Sequence, residues 1–405
     1  MNPASLWPDV AALSVAACTV YLSDKYLRSN AANRPAGFVK TNQNLALNGL
    51  RGYLSFFIFL HHAMVWHLYI QKDIWQASTT YLYTHLGHNR VFMLLMFSGY
   101  LFITKLIDSK IKPFDWRMFY ISRILRIVPL YLFMIFVALL LTMHASDYQL
   151  REPMLTFIKN ISIWLAFSFF GSPSVNGVSQ IAITGVAWTL PYEWFFYAIL
   201  PLIALVLRVS VSWPYLIFAT CSAIGLYYWN PNWILVSAFG FGGVAALISQ
   251  ISGLPKLLSG KFAASLAIVL LLIVTFALPS GGNFISRVLL CMAFIVVASG
   301  NSIFGILNIR LAQSLGKHSY SIYLMHSIVL YIAFKFILGA ETASSLSGSG
   351  HWLVVLACVA ILIPLCYITY QWIEQPSMRL APKVNDWFDR QTTTGSGSSR
   401  MPKRS

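Results

Sequence analysis

The residues able to do chemistry are few, and they stand where a membrane would make them expensive. Arg51 opens an apolar run that follows Leu47-Asn48-Gly49-Leu50-Arg51-Gly52, and His62 lies eleven residues further on, beside His61. On a helix rising about 1.5 Å per residue this offset spans roughly 16 Å, about half a hydrocarbon core. Arg51 therefore sits near one membrane face and His62 near mid-depth. An arginine at a helix end can be a simple topological anchor that snorkels into headgroups. A histidine at mid-depth is costly and usually faces a cavity, where it can serve as a base or a nucleophile. Adjacent helical residues point about 100° apart, so His61 is not expected to share the site of His62. Glu193, within Trp188-Thr189-Leu190-Pro191-Tyr192-Glu193, is an acidic residue well inside an apolar run. It reads either as a structural carboxylate or as a group that meets a polar substrate from the far side, with Trp188 and Tyr192 beside it as candidate substrate-binding residues. Arg123 and Arg126 are three apart and share a helix face at the membrane boundary. They are either ordinary boundary charges or a fork for a phosphate, which guanidinium groups hold bidentately. His326 is expected to pack or to hydrogen-bond between helices.

The elements that must position these groups are membrane helices. The 405 residues are 58% hydrophobic and only 10% charged, against about 25% charged for a soluble chain. Apolar runs of about 20 residues recur, and no polar stretch is long enough for a soluble domain. The expected fold is an all-α polytopic membrane protein. Its spans are expected at 51–70, 91–107, 124–143, 188–208, 213–229, 232–250, 263–279, 285–305, 319–338 and 351–372. Pro129 falls in the first turns of the third, where a missing amide donor is cheap. Residues 5–22 contain Pro8 and Asp9 and lack a preceding basic residue, so they read as an extra span or an interfacial helix, not a cleavable signal. Residues 144–187 are expected outside the cytoplasm, with a short re-entrant or interfacial helix near Phe157–Gly171 and an uncharged Ser- and Gly-rich stretch after it. The five cysteines (Cys18, Cys221, Cys291, Cys358, Cys366) show no paired spacing and read as small core residues, with no metal set.

The net charge of +16 is distributed by topology and does not mark a nucleic-acid binder. With Arg51 inside, the linker with Lys25, Arg28, Arg34 and Lys40, the cluster Lys105, Lys110, Lys112, Arg117, Arg123 and Arg126, Arg208, the Lys256/Lys261 loop, Arg310, Lys317 and the C-terminal tail all face the cytoplasm. On that count 22 of the 28 Lys and Arg are cytoplasmic. Such a face also attracts anionic headgroups or an anionic cosubstrate. The chain divides into an N-terminal apolar segment and basic linker (1–44), a membrane domain (45–380) and a basic tail expected to be disordered (381–405).

Five elements in order make the chain resemble the acyltransferase-3 family of integral membrane acyltransferases, which includes bacterial O-antigen and exopolysaccharide O-acetylases. They are the Arg51–His62 spacing after Asn48-Gly49-Leu50-Arg51-Gly52, Phe97-Ser98-Gly99-Tyr100-Leu101, the pair Arg123 and Arg126, Trp188–Glu193, and Gly316 through Ser319, Tyr320, Tyr323 and His326. Asn48 departs from the usual aspartate, Thr189 from a common serine, and Trp194 stands where a second glutamate is frequent. The extracytoplasmic SGNH domain fused to some relatives is not expected here.

The resemblance implies a bacterial inner-membrane enzyme that uses cytoplasmic acetyl-CoA and no metal. Arg123, Arg126 and Arg51 would hold the donor phosphates, and His62 would act as base or acyl carrier. Glu193 would orient the imidazole or bind a sugar hydroxyl. The acceptor would be a glycan or lipid-linked glycan, with other polysaccharide-assembly proteins as possible partners. A flippase for a lipid-linked glycan would also need buried His and Glu, but the two halves show no internal repeat. An acyltransferase with a lipid or small-molecule acceptor would share every catalytic feature.

Overall fold

Asparagine, serine and aspartate caps and proline-bearing connectors cut the apolar sequence into helices. Asp115 accepts from the Met118 amide (2.9 Å), Asn232 from Ile234 (3.0 Å), Asn283 from Ile285 (3.0 Å) and Ser347 from Gly350 (3.1 Å). The computed structural model describes residues 7–29, 42–72, 74–76, 81–109, 114–278 and 283–395. In chain order the helices are α1 (Trp7–Ser29), α2 (Asn42–Lys72), α3 (Tyr81–Asp108), α4 (Trp116–Ala145), α5 (Met154–Leu165) and α6 (Ile181–Thr184). A 3₁₀ turn at Gly185–Thr189 leads into α7 (Leu190–Val206), followed by α8 (Trp213–Trp229), α9 (Trp233–Ser249), α10 (Leu254–Leu258), α11 (Lys261–Phe276) and α12 (Phe284–Ala298). The rest comprises α13 (Arg310–Lys317), α14 (Ser319–Tyr331), α15 (Ala340–Ser345), α16 (Gly348–Thr369) and α17 (Gln375–Gly395). π-helical turns at Ile332–Ile337 and Tyr370–Glu374 extend α14 and carry α16 into α17.

This is an all-α polytopic membrane protein. Among the described residues six helical stretches are long and apolar enough to cross a membrane: Leu45–Lys72, Tyr83–Asp108, Trp116–Ala145, Ile181–Val206, Ser319–Ile337 and Gly348–Gln391. The other four expected spans form α8, α9, α11 and α12, of 17, 17, 16 and 15 residues. At about 1.5 Å per residue these reach roughly 22–26 Å, short of a 30 Å core. Residues 154–165 form the expected short helix, mostly exposed.

Glycine sets the closest helix approaches. A Cβ on Gly52 would lie 2.4 Å from the Gly316 amide nitrogen, and one on Gly49 would lie 1.9 Å from the Leu307 carbonyl. The glycines beside Arg51 thus let α2 touch the α13 region backbone to backbone, as small residues do in membrane bundles. Gly99 and Gly242 do the same between α3 and α9, with Cβ positions 2.3 Å from the Phe239 carbonyl and 2.1 Å from that of Met96.

Several expectations change. The third span begins at Trp116, so Pro129 lies in the interior of a continuous helix instead of its first turns. Residues 381–395, expected to be disordered, belong to α17, which packs on α4 through an Arg117–Asp389 ion pair and an Arg117 Nε–Asn385 bond of 2.8 Å. Arg34, Lys40, Lys110, Lys112 and residues 396–405 lie outside the described residues. Cys18 and Cys221 are exposed, so only Cys291, Cys358 and Cys366 are core residues. The N-terminal segment is a helix laid along α16. Tyr83 bonds Asp9 (3.3 Å) near its start, and Asp24 meets Arg310 (2.7 Å) and Tyr367 (2.8 Å) near its end. Fifteen residues separate the two aspartates, roughly 22 Å of helix, so α1 runs lengthwise beside the bundle.

Candidate active site

Two chambers are stacked along α2. The first, about 120 Å³, is lined by Arg51, Ser55, Arg123, Arg126, Glu193 and Tyr197 together with Ser319, Tyr320 and Tyr323 of α14. The second, about 360 Å³, is lined by His61, His62, Trp75, Trp188 and Arg287 among others. Along α2 the first takes Arg51 and Ser55 and the second takes Ile58, His61, His62 and Val65. The antiparallel α3 supplies residues in the reverse order, Leu94–Phe102 and then Gly87–Phe92. Val91 and Tyr323 line both, so the chambers meet there.

The first chamber is cationic. Arg51 donates to the Gly316 carbonyl (2.7 Å) and to Asn48 Oδ1 (3.3 Å), and its guanidinium lies over the Phe97 ring at 5.5 Å. Asn48, in place of an aspartate, anchors the start of α2 to Gln313 through its amide (3.1 Å to both the carbonyl and Oε1). It therefore holds Arg51 by hydrogen bonding without neutralising it. Arg123 stacks over Phe102 at 5.2 Å, and Arg126 reaches Met378 Sδ at 3.1 Å. Two carboxylates share this region. Glu193 accepts from Tyr197 Oη (2.9 Å), and buried Glu374 accepts from Ser321 Oγ. Among the described residues no ion pair joins either one to these arginines, and the buried Nε atoms of Arg51 and Arg123 have no hydrogen-bond partner. Three guanidiniums against two carboxylates leave uncompensated positive charge in a low-dielectric space, which an anion would neutralise.

At the second chamber His62 is backed by His326, which is fully buried and outside the lining. His326 Nε2 lies 2.9 Å from His62 Nδ1, and His326 Nδ1 lies 2.9 Å from the Ile322 carbonyl. The carbonyl can only accept, so Nδ1 of His326 carries the proton. In the neutral ring Nε2 is then an acceptor and takes the proton of His62 Nδ1–H. This leaves a lone pair on His62 Nε2, a tautomer assigned here by donor–acceptor logic. His62 also stacks with Trp75, centroids 6.2 Å apart. His61 Nδ1 donates to the Tyr83 carbonyl (2.6 Å), and its Nε2 lies over Gly87, where a Cβ would come within 2.6 Å.

The predicted residues thus separate into two groups. Arg51, Arg123 and Arg126 come together as expected, and His62 lies in the adjoining chamber. Glu193 stands in the first turn of α7, just after the 3₁₀ turn, and lines the arginine chamber. It sits at the level of the arginines, and His326, not Glu193, orients His62. Trp188, 40% exposed, lines the histidine chamber and not the one that holds Glu193. Tyr192 lines neither, since it packs on Trp229 (5.1 Å), its hydroxyl accepts from the Asn232 amide (3.2 Å), and it faces an apolar groove along α7 and α9. His61 lines the same chamber as His62, because the cavity wraps around α2 far enough to meet both directions.

His326 and Glu374 are the residues that sequence reasoning undervalued. Gly316, Ser319, Tyr320, Tyr323 and His326 follow helical spacing and form one stripe that runs from Arg51 to His62. His326 was expected only to pack or to hydrogen-bond between helices, and its bond to His62 is such a contact. Glu374 falls just past the expected last span, and only the continuous passage from α16 into α17 buries it. Tyr323 holds the junction between the chambers, donating to the Val186 carbonyl (2.8 Å) while Thr189 Oγ1 lies 2.6 Å from its hydroxyl.

The family described as Acyltransferase domain, the acyltransferase-3 family of the sequence comparison above, matches residues 44–371. The chain belongs to that family and is a membrane acyltransferase. No curated protein and no solved structure matches it.

Proposed function

We propose that the protein is an O-acetyltransferase that moves an acetyl group from cytoplasmic acetyl-CoA to a hydroxyl of a cell-surface polysaccharide or its lipid-linked precursor. The observation that carries this reading is the junction of the arginine chamber with the histidine chamber at Tyr323. The uncompensated charge of Arg51, Arg123 and Arg126 suits the phosphates of the donor, and the excess of basic residues on that side agrees with a cytoplasmic face. The thioester would reach the junction from the arginine side and the acceptor hydroxyl from the histidine side.

His62 Nε2 would take the proton of the acceptor hydroxyl as its oxygen bonds to the thioester carbonyl carbon. Collapse of the tetrahedral species breaks the carbon–sulfur bond, and the leaving thiolate receives the proton from His62. The products are the acetyl ester and free CoA thiol. In the same geometry the lone pair would serve a transient acetyl-imidazole, and capture of acetyl on His62 by rapid quench would identify that route. In either route His326 holds the tautomer. Both ends of the membrane domain would face the cytoplasm of a bacterial inner membrane.

The experiment is acetyl transfer by purified protein in nanodiscs, with His62→Ala against His61→Ala. Positioned proton transfer typically contributes about 10²–10⁴ in rate, so H62A should lose nearly all transfer. H61A should lose less, because its Nδ1 is tied to Tyr83. Full activity in H62A would overturn the mechanism. Acetylation that persists in cells while glycan export stops would favour a flippase.

A further inference from the structure

The histidine chamber carries a second cationic feature, apart from the arginines proposed to hold the donor. Arg287 lies in the first turn of α12, and one guanidinium nitrogen donates to Ser237 Oγ (3.2 Å) while the plane rests near the Phe284 ring (5.6 Å). Its Nε is buried and has no hydrogen-bond partner among the described residues. Next to it, Ser286 is 4% exposed, and its buried Oγ also lacks a partner. Both side chains line the chamber that holds His62. The N-terminus of the 15-residue α12 adds the positive end of its dipole at the same spot. No carboxylate lines this chamber among the described residues.

Buried donors without acceptors are costly to leave unmade, and here two neighbouring ones line one chamber beside a positive charge and a helix N-terminus. We propose that Arg287 and Ser286 form an anion subsite, and that the acceptor is a sugar carrying a carboxylate or phosphate close to the hydroxyl that is acylated. Trp75 and Trp188 provide apolar faces for the sugar ring in the same cavity. This inference deepens the acyl-transfer reading by naming its acceptor class, yet the subsite can be measured without turnover.

The test is equilibrium binding to the protein in zwitterionic nanodiscs, read by tryptophan fluorescence, with octyl glucuronide, octyl glucoside and glucose 1-phosphate as probes. The wild type should bind at least one anionic probe about tenfold or more tightly than the neutral glucoside, as a charge-assisted hydrogen bond implies. The better anion tells a uronate from a phosphate acceptor. R287Q should abolish the preference, R287K should keep part of it, and S286A should narrow it, while CoA affinity stays unchanged in all three. Equal binding of all probes by the wild type would overturn the subsite, as would a preference that survives in R287Q. If soluble sugars show no Arg287 dependence but anionic lipid stabilises only proteins that keep Arg287, the residue serves a headgroup and the acceptor proposal fails. If no acetyl transfer occurs while the Arg287-dependent preference holds, the acyl-transfer reading fails and the subsite stands.

Discussion

Replacing His326 by Leu and by Gln tests the tautomer argument directly. In the native pair, His326 Nδ1 is locked by the Ile322 carbonyl, and its Nε2 accepts the His62 Nδ1 proton across 2.9 Å. His326→Leu removes the acceptor, so His62 is no longer held with its lone pair on Nε2. One neutral hydrogen bond is worth about 0.5–1.5 kcal/mol, and loss of the preferred tautomer adds about 1.4 kcal/mol if the wrong form rises to ten to one. Together these predict a fall of about 20- to 120-fold in kcat, with little change in the KM for acetyl-CoA. Gln at 326 can place its carbonyl oxygen near the native Nε2 and should recover activity to within about tenfold of wild type. The assay is acetyl transfer in nanodiscs, with folding monitored by thermal unfolding of each variant, since His326 is fully buried. A folded H326L enzyme at wild-type rate would refute the reasoning. So would H326Q and H326L enzymes equally impaired, because a merely space-filling role would not distinguish them.

The remaining predictions concern charge, packing and access. Replacing Arg123 and Arg126 together by Ala should weaken CoA binding by isothermal titration, and Lys at both sites should restore part of it. Unchanged affinity in the Ala pair would remove the phosphate role. Gly52→Val should lower the thermal midpoint, since its Cβ would lie 2.4 Å from backbone at Gly316 and overpacking costs about 1–3 kcal/mol. A midpoint at the wild-type value would mean that α2 and α13 can separate freely. Cysteines placed at the exposed Ser172, Ser174 and Ser179 should react with a membrane-impermeant reagent in intact cells. Labelling only after the opposite face is opened would invert the orientation.

Composition and apolar run length were enough to establish a helical membrane bundle, and the Arg51–His62 spacing set two polar groups at separate levels of one helix. Burying a charge in hydrocarbon is costly in any arrangement, so the rare polar residues of an apolar run are visible before the fold is known. The glycines at 49, 52, 99 and 316 were legible as motif members, but their reason, backbone contact between helices distant in sequence, appears only on packing. The partner of His62 likewise depended on tertiary structure, because His326 lies 264 residues away and helical spacing places it on a face without saying what that face meets. The same holds for Glu193. Its place in the first turn of α7 is local, but that Arg51, Arg123 and Arg126 line the same chamber appears only on packing. Tyr192 shows the converse, for one position before Glu193 is about 100° around the helix, enough to turn a side chain from the chamber toward α8 and α9. Sequence determines which groups must leave lipid, since that cost is local. Only the fold decides which of them meet, since a hydrogen bond is set by positions within about 3 Å that no single helix defines.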